Sequence, residues 1–361
     1  MTYYIGLMSG TSLDGVDAVL IGMQGATWQG ALAHSYVPYP ESIKTQVLAL
    51  QQQGANELHQ TAILAQQLSK LYAQAVAQLL QAEHLNAGDI AAIGCHGQTI
   101  RHVPEQAYSL QIADWSLLAE LTGIDVVGDF RSRDLAAGGQ GAPLVPAFHA
   151  ALFGNTPHTR VLANIGGIAN ISVLRPEQAP LGFDTGPGNM LMDAWVQRHF
   201  GIAYDDNSNH AQQGEVLPEL LQTWLAHPYF HTPYPKSTGR DLFDLAWLET
   251  YLSGNERPVN VLRTLLELTA VSLSQDIALF NPHEVYVCGG GVYNPLLMQR
   301  LRALLPQASW HSTEALNLHP QWMEAAAFAW LAARRLLGLP SNAATVTGAK
   351  GPRCLGAVYL A

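Results

Sequence analysis

YIGLMSGTSLDGVDAVLIGM, residues 4–23, decides how the chain is read. Ile5 and Leu7 alternate before a polar turn, and Val16, Ala18 and Leu20 alternate after it. That is the pattern of strand, turn, strand. The turn holds Gly10 and Gly15, the hydroxyls of Ser9, Thr11 and Ser12, and the acid Asp14. Asp-Gly suits an ordinary hairpin. Glycines also let backbone amides approach an anion, and successive amides in a tight turn form a concavity for one. Thr11 and Ser12 add donors. Asp14 would repel a phosphate directly, so it fits beside one only with a divalent cation between them, held through water.

The same design recurs. In RVLANIGGIANISVL (160–174) two apolar runs meet at Gly166 and Gly167. EVYVCGGGVYNPLLMQRL (284–301) reads as a strand, three glycines and a helix start. PLGFDTGPGNMLMDAWVQRHF (180–200) reads as a strand end, a Gly-Pro-Gly turn and a helix. A long helix is predicted over 57–85, where Ile63, Leu64, Leu68, Leu71, Tyr72, Ala75, Val76, Leu79 and Leu80 form one stripe. DIAAIGCHGQTIRH (89–102) and GIDVVGDFRSRD (123–134) are strands that release polar residues at their carboxyl ends. WMEAAAFAWLAARRLLG (322–338) is a helix stopped by Gly338 and Pro340. The Gly/Pro-rich stretch after residue 131 reads as a hinge. The class is α/β with mixed sheets. The expected division is 1–130 with 345–361, whose last strand returns to the first lobe, and 131–344.

Composition narrows the partners. Net charge is −10 over 361 residues, 48% of them apolar, with no cluster of Lys and Arg. Nucleic acid and anionic membranes need a basic footprint, so neither is expected. No apolar run approaches the ~20 residues of a membrane span, and no charged leader is evident. Cys95, Cys288 and Cys354 show no CxxC spacing, which argues against disulfides and zinc and for a reducing cytoplasm. Cys95 and Cys288 end apolar runs and read as buried small hydrophobes. No P-loop is present, and GPGNML lacks the third glycine of a dinucleotide fingerprint.

GLMSGTSLDG, NIGGIANIS and VCGGG resemble the two phosphate segments and the adenosine segment of the actin-like ATPase superfamily, which includes hexokinase-type sugar kinases and the Hsp70 nucleotide domain. More narrowly, MSGTSLDGVD, CHGQTIRH, GDFRSRDLAAGGQGAPLVPAFH and GFDTGPGNMLMDAW resemble the anhydro-N-acetylmuramic acid kinases. The resemblance continues through EAAAFAWLA and VTGAKGPR. It implies a two-lobed actin-like ATPase fold, with mixed sheets flanked by helices and an interdomain cleft. ATP and Mg²⁺ are implied as cofactors, and a homodimer as the assembly. The implied nucleotide contacts are Gly10, Thr11, Ser12, Asp14, Gly15, Asp17, Gly166, Gly167, Asn170, Gly289, Gly290 and Gly291, with Asp14 facing the metal through water.

The resemblance makes Asp184 the catalytic base, where the residues alone allow a turn or helix-cap aspartate equally well. It implies that Asp184 deprotonates water, which opens 1,6-anhydro-N-acetylmuramic acid at the anomeric carbon with inversion. The released O6 then attacks the γ-phosphorus, giving N-acetylmuramic acid 6-phosphate in cell-wall sugar recycling. Substrate contacts are expected from His96, Gln98 and Thr99 at a strand end. His96 could equally be structural. Asp129 and Arg131 are candidates too, the latter as a fork for the lactyl carboxylate or else as an interdomain salt bridge. Arg133 and Asp134 could serve as well. Arg101 and His102 read as rim residues and His149 as core. Glu324 suits a helix's first turn without any function, and the resemblance suggests that it touches substrate. Two other readings stand beside this one: a kinase of the same fold for another sugar or acid, and an actin-like ATP switch whose turnover ignores sugars.

Overall fold

The computed structural model describes residues 1–10, 12–239 and 242–361. The chain divides into two compact units, Met1–Leu152 with Trp322–Ala361, and Phe153–Gln321. Both crossings differ from the expected 130/131 and 344/345. The Gly/Pro-rich stretch lies inside the first unit, where the fully buried carboxylate of Asp134 holds it. Asp134 Oδ1 accepts from Asn342 Nδ2 (2.7 Å) and Thr347 Oγ1 (2.8 Å), and its Oδ2 accepts from the Gly141 amide (2.9 Å). Helix Val145–Phe153 then carries the chain to the end of the first unit.

In the first unit six strands pair in the order β13-β7-β4-β1-β2-β3. These are β1 (Thr2–Met8), β2 (Gly15–Gln24), β3 (Thr27–Pro38), β4 (Ile90–Cys95), β7 (Val126–Gly128) and β13 (Ala357–Tyr359). β5 (Gln98–Val103) and β6 (Tyr108–Ile112) make a separate ribbon, so Gln98 and Thr99 open a strand where a loop was expected. The pleat of β1 sorts its residues between two layers. Ile5 and Leu7 join one buried cluster with Leu64, Leu68, Tyr72, Val76 and Leu79 of the long helix Glu57–Ala82. Gly6 lies on the other face, against helix Met323–Leu336. A Cβ on Gly6 would run into the Ala325 carbonyl, and one on Gly94 into that of Phe328. The alanines of this helix keep its surface low, so helix and sheet backbones meet with no side chain between them.

The second unit repeats the order. β8 (Arg160–Ile165), β9 (Ile168–Leu174), β10 (Leu181–Pro187), β11 (Glu284–Cys288) and β12 (Ser309–Ser312) pair as β10-β9-β8-β11-β12. Helix Pro258–Ala278 is buried along most of its length, in a core with Val161, Ile171, Trp195 and Trp224. Counted within each sheet, the second runs 3-2-1-4-5 and the first 3-2-1-4-5-6, its sixth strand β13 antiparallel to β7. Strands 1, 2 and 3 are antiparallel, and 1, 4 and 5 are parallel. Both units are therefore mixed α/β, each a sheet flanked by helices.

Because strands 1 and 4 are parallel, the turn after the one and the end of the other emerge at the same sheet edge, where α/β proteins bind ligands. Leu7 is level with Cys95, and Asn164 with Cys288. Among the described residues no helix is long and apolar enough to cross a membrane.

The packing of Gly6 and Gly94 predicts that Gly6→Ala or Gly94→Ala lowers unfolding free energy by about 3 kcal/mol through overpacking. Urea unfolding followed by circular dichroism measures this.

Candidate functional site

The first turn is held from below. Ser9 Oγ bonds the Tyr72 hydroxyl (2.8 Å), and the Gly10 carbonyl accepts from Gln98 Nε2 (3.3 Å). Gln98 Oε1 accepts from the Tyr39 hydroxyl (3.1 Å), and the Tyr39 amide donates to the Asp14 carbonyl (2.9 Å). Ser12 and Asp14 are exposed at the tip. Asp14 Oδ1 accepts from Ser12 Oγ (2.8 Å) and the Gly15 amide (3.0 Å). Leu13 takes a positive φ of 58°, an uncommon conformation for a branched residue. Thr11 lies outside the described residues. Asp17 points elsewhere, its Oδ1 meeting His34 Nε2 at 2.8 Å, and His34 stacks on Trp322. Gly15 is explained by packing, since a Cβ there would meet the Val37 carbonyl and the Tyr36 ring. Gly10 is not so explained: a Cβ would have only Ser12 Oγ near it, at 3.6 Å.

At the end of β4 the expected substrate residues are turned inward. His96 is 5% exposed and Gln98 0%. Arg131 Nη2 donates to His96 Nε2 (2.8 Å), and its Nη1 donates to the Gly141 carbonyl (2.7 Å). Burial first and Arg131 second push the His96 imidazole well below its usual value, so it is neutral with its proton on Nδ1. With Nε2 engaged, His96 is an acceptor for Arg131 rather than a base. Burial draws the Arg131 guanidinium down to about 10, against the nearby charges of Glu324 and Asp134. Both hydrogen-bond partners of the Arg131 side chain, His96 and Gly141, lie in its own unit. Glu324 is half-buried in the first turn of helix Met323–Leu336.

Asp129 accepts from Ser132 Oγ (2.5 Å) at the start of the short helix Ser132–Leu135, and its own φ is +50°. Thr99 Oγ1 accepts from Gln111 Nε2 (3.1 Å), which pins the β5–β6 ribbon. Arg101 pairs with Glu57 at 2.7 Å. Asp134 is the buried hub described above and is not available to a ligand. His149 is buried, and burial pushes its imidazole down to about 3. Cys95 is buried and pushed up to about 12, so its thiol stays protonated.

In the second unit the Gly166–Gly167 turn is welded to the start of the next helix. Gly188 N and Met190 N donate to the Gly167 carbonyl (2.9 and 3.1 Å), and Asn189 N donates to the Gly166 carbonyl (2.8 Å). Asn189 Nδ2 adds a bond to the Ile165 carbonyl (3.2 Å). Neither turn glycine is needed by the fold. A Cβ on Gly166 would come no closer than 3.7 Å to its neighbours, and the same holds at Gly167. The three glycines after β11 divide. Gly289 has φ +78° and is crowded by Asn164 and Ile165, and Gly291 is crowded by Ile165. Gly290 has room, its nearest neighbour being Asn189 Nδ2 at 3.6 Å.

Asp184, Asn170 and Asn164 are direct cross-strand partners on β10, β9 and β8, which places all three on one face two residues from the glycine turn. β10 is the edge strand, and a bulge follows Asp184. The outward backbone of Asp184 is fully engaged: its amide donates to the Lys236 carbonyl (3.0 Å), and its carbonyl accepts from the Tyr229 hydroxyl (2.7 Å). Its Oδ2 accepts from Ser237 Oγ (2.8 Å) and the Thr238 amide (3.0 Å). Oδ1 takes no hydrogen bond among the described residues. Burial pushes the carboxyl above the usual aspartate value, while Thr238 and Ser237 pull it back. Tyr229, Lys236, Ser237 and Thr238 carry no periodicity in the sequence. The one available signal is a Lys-Ser-Thr-Gly run after Tyr-Pro, which marks only a loop.

Among the described residues no group of three or more His, Cys, Asp or Glu is arranged to hold a metal ion. The lone exposed carboxylate of Asp14 suits instead an ion that arrives on a nucleotide and keeps most of its waters.

Known proteins place this geometry in a family. The family model for anhydro-N-acetylmuramic acid kinase matches residues 2–361. An anhydro-N-acetylmuramic acid kinase of Neisseria meningitidis serogroup C / serotype 2a is 58% identical, over 99% of this chain and 98% of that one. A protein of the same name from Nitrosomonas europaea is 51% identical over 99% of each chain. Match and identity both run end to end, and the chain belongs to the anhydro-N-acetylmuramic acid kinase family.

Proposed function

We propose that this chain is an ATP-dependent kinase that opens 1,6-anhydro-N-acetylmuramic acid with water and phosphorylates O6. The products are N-acetylmuramic acid 6-phosphate and ADP. Family membership supports the substrate, and one observation carries the mechanism: Asp184 is held rigidly through Oδ2 while Oδ1 is left for a proton. In this reading Oδ1 takes a proton from the water that attacks the anomeric carbon. The bridging oxygen leaves as O6 and displaces ADP at the γ-phosphorus, so that phosphoryl transfer captures the leaving group. Attack by water, with no enzyme-bound sugar, gives inversion.

The two glycine turns serve the nucleotide. Among the glycines of the three strand-end turns, Gly10, Gly166, Gly167 and Gly290 are those whose Cβ space is open. An approaching phosphate or ribose gives a reason for the missing side chains there. Ser12 adds a hydroxyl, and Asp14 faces Mg²⁺ through water. When bound, Mg²⁺ neutralises phosphate charge. Gln98 positions Gly10, and the Arg131–His96 pair holds the guanidinium close to Glu324, whose carboxylate we assign to the sugar. We place the reaction in the cytoplasm, in the recycling of cell-wall sugar, and take a homodimer as the working assembly.

Three outcomes test this. Asp184→Asn lowers kcat by about 10³-fold, within the range of general-base contributions, and leaves the Kd for ATP within twofold by calorimetry. Undiminished turnover removes Asp184 as the base. Because burial raises the Asp184 carboxyl and the base must be ionised, kcat falls as pH drops through that raised value. Its acid limb therefore lies above the ordinary aspartate value of about 4. An acid limb at or below that value contradicts the assignment. Gly10→Ala and Gly167→Ala leave stability within about 0.5 kcal/mol, yet raise the KM for ATP at least tenfold. Unchanged ATP kinetics would displace the nucleotide from these turns.

A further inference from the structure

The loop after Tyr-Pro does more than cover an edge strand. The Lys236 side chain is buried, only 3% exposed, and its Nζ sits 3.0 Å from Asp276 Oδ2 on helix Pro258–Ala278. It also donates to Asp276 Oδ1 (3.3 Å) and lies 5.1 Å from the centre of the Tyr229 ring. The same lysine's carbonyl receives the Asp184 amide, and the next two residues supply both donors to Asp184 Oδ2. Tyr229, whose ring lies against the ammonium, donates its hydroxyl to the Asp184 carbonyl. Among the described residues, both hydrogen bonds to the Asp184 side chain therefore come from a segment anchored on one buried ion pair.

We infer that Lys236 and Asp276, with Tyr229, are positioning residues for the base: their ion pair clamps residues 236–238 onto β10 and so fixes the direction of Asp184 Oδ1. The inference rests on Asp184 being the base. A buried ion pair costs desolvation and is weak evidence for stability alone, so a role in placing the carboxylate explains its presence here.

Among the described residues, the titratable groups around Asp184 are Lys236, Asp276 and Tyr229. The tyrosine is raised by burial and by the two aspartates, so it remains a neutral donor. The pair's own charges cancel, so removing both leaves mainly the mechanical effect. Without the clamp, Ser237 and Thr238 release Oδ2. Those bonds favour the ionised carboxylate, so its loss moves the acid limb of kcat to higher pH.

The test is the double variant Lys236→Met/Asp276→Leu, which leaves no unpaired charge. Expected are a kcat at least tenfold lower, a KM for ATP within twofold, and an acid limb about half a unit or more higher. A purely structural pair would lower the folded fraction, and with it the apparent kcat, without moving the limb. A folded double variant with kcat and limb unchanged, or with only its folded fraction reduced, overturns the inference. If that protein does not fold, Lys236→Gln/Asp276→Asn keeps both side chains polar and removes both charges together. A smaller kcat loss with the limb raised supports the clamp, and an unmoved limb overturns it. Asp184→Asn separates the two ideas. Retained turnover there ends both, whereas lost turnover beside an unmoved limb in the pair variant ends only the clamp.

Discussion

The parallel pairing of each first strand with its fourth is the constraint on which the rest depends. A strand turn alone is a hairpin. Beside the end of a parallel neighbour it becomes one wall of a sheet edge where backbone groups collect. In the first unit this sets Leu7 level with Cys95 and brings His96 N to the Leu7 carbonyl at 3.1 Å. In the second it sets Asn164 level with Cys288 and leaves Gly289 against Asn164 and Ile165. Neither arrangement needs similar side chains, which is why two halves without visible repeats carry the same plan.

The glycines show how the fold and the chemistry divide the same residue type. At Gly6 and Gly94 the fold claims it, because a helix backbone occupies the place of a Cβ. At Gly289 a positive φ and close neighbours claim it again. At Gly10, Gly166, Gly167 and Gly290 the folded chain has room for a side chain that the sequence withholds. Glycine costs backbone entropy on folding; Gly54 and Gly88 are equally open at exposed positions, so it is open space together with a place in a strand-end turn that supports the proposed nucleotide contact. A sequence shows these glycines as one class, and only the packing sorts them.

Much of the fold was legible because it is periodic. The stripe of Leu64, Leu68, Tyr72, Val76 and Leu79 announced a helix, and the alternation around the first turn announced two strands. Asp184 was legible as a strand-end acid, though the motif resemblance and not its position chose its role. Three things were hidden. The depth of His96 and Gln98 depends on the β5–β6 ribbon and on Arg131, and nothing local reports burial. The rigidity of the glycine-rich stretch after Arg131 comes from Asp134 meeting Asn342 and Thr347, some two hundred residues away. The segment that holds Asp184 sits in a loop just after Pro233 and Pro235, where neither 3.6- nor 2-residue periodicity exists to be read.

With Asp184 as the proposed base, its electrostatics account for the form of the loop that holds it. A base must be ionised to act and basic enough to take a proton. Burial raises the carboxyl, which strengthens the base and threatens its ionisation. A cation against Oδ2 would protect ionisation but hold the electrons that must reach water. The structure supplies neutral donors instead, a serine hydroxyl and a backbone amide, which moderate the rise without cancelling it. The lysine that could have cancelled it is turned onto Asp276, and only its carbonyl meets Asp184. Its charge thus fixes the loop while the carboxylate keeps its basicity, and placing the base is separated from weakening it.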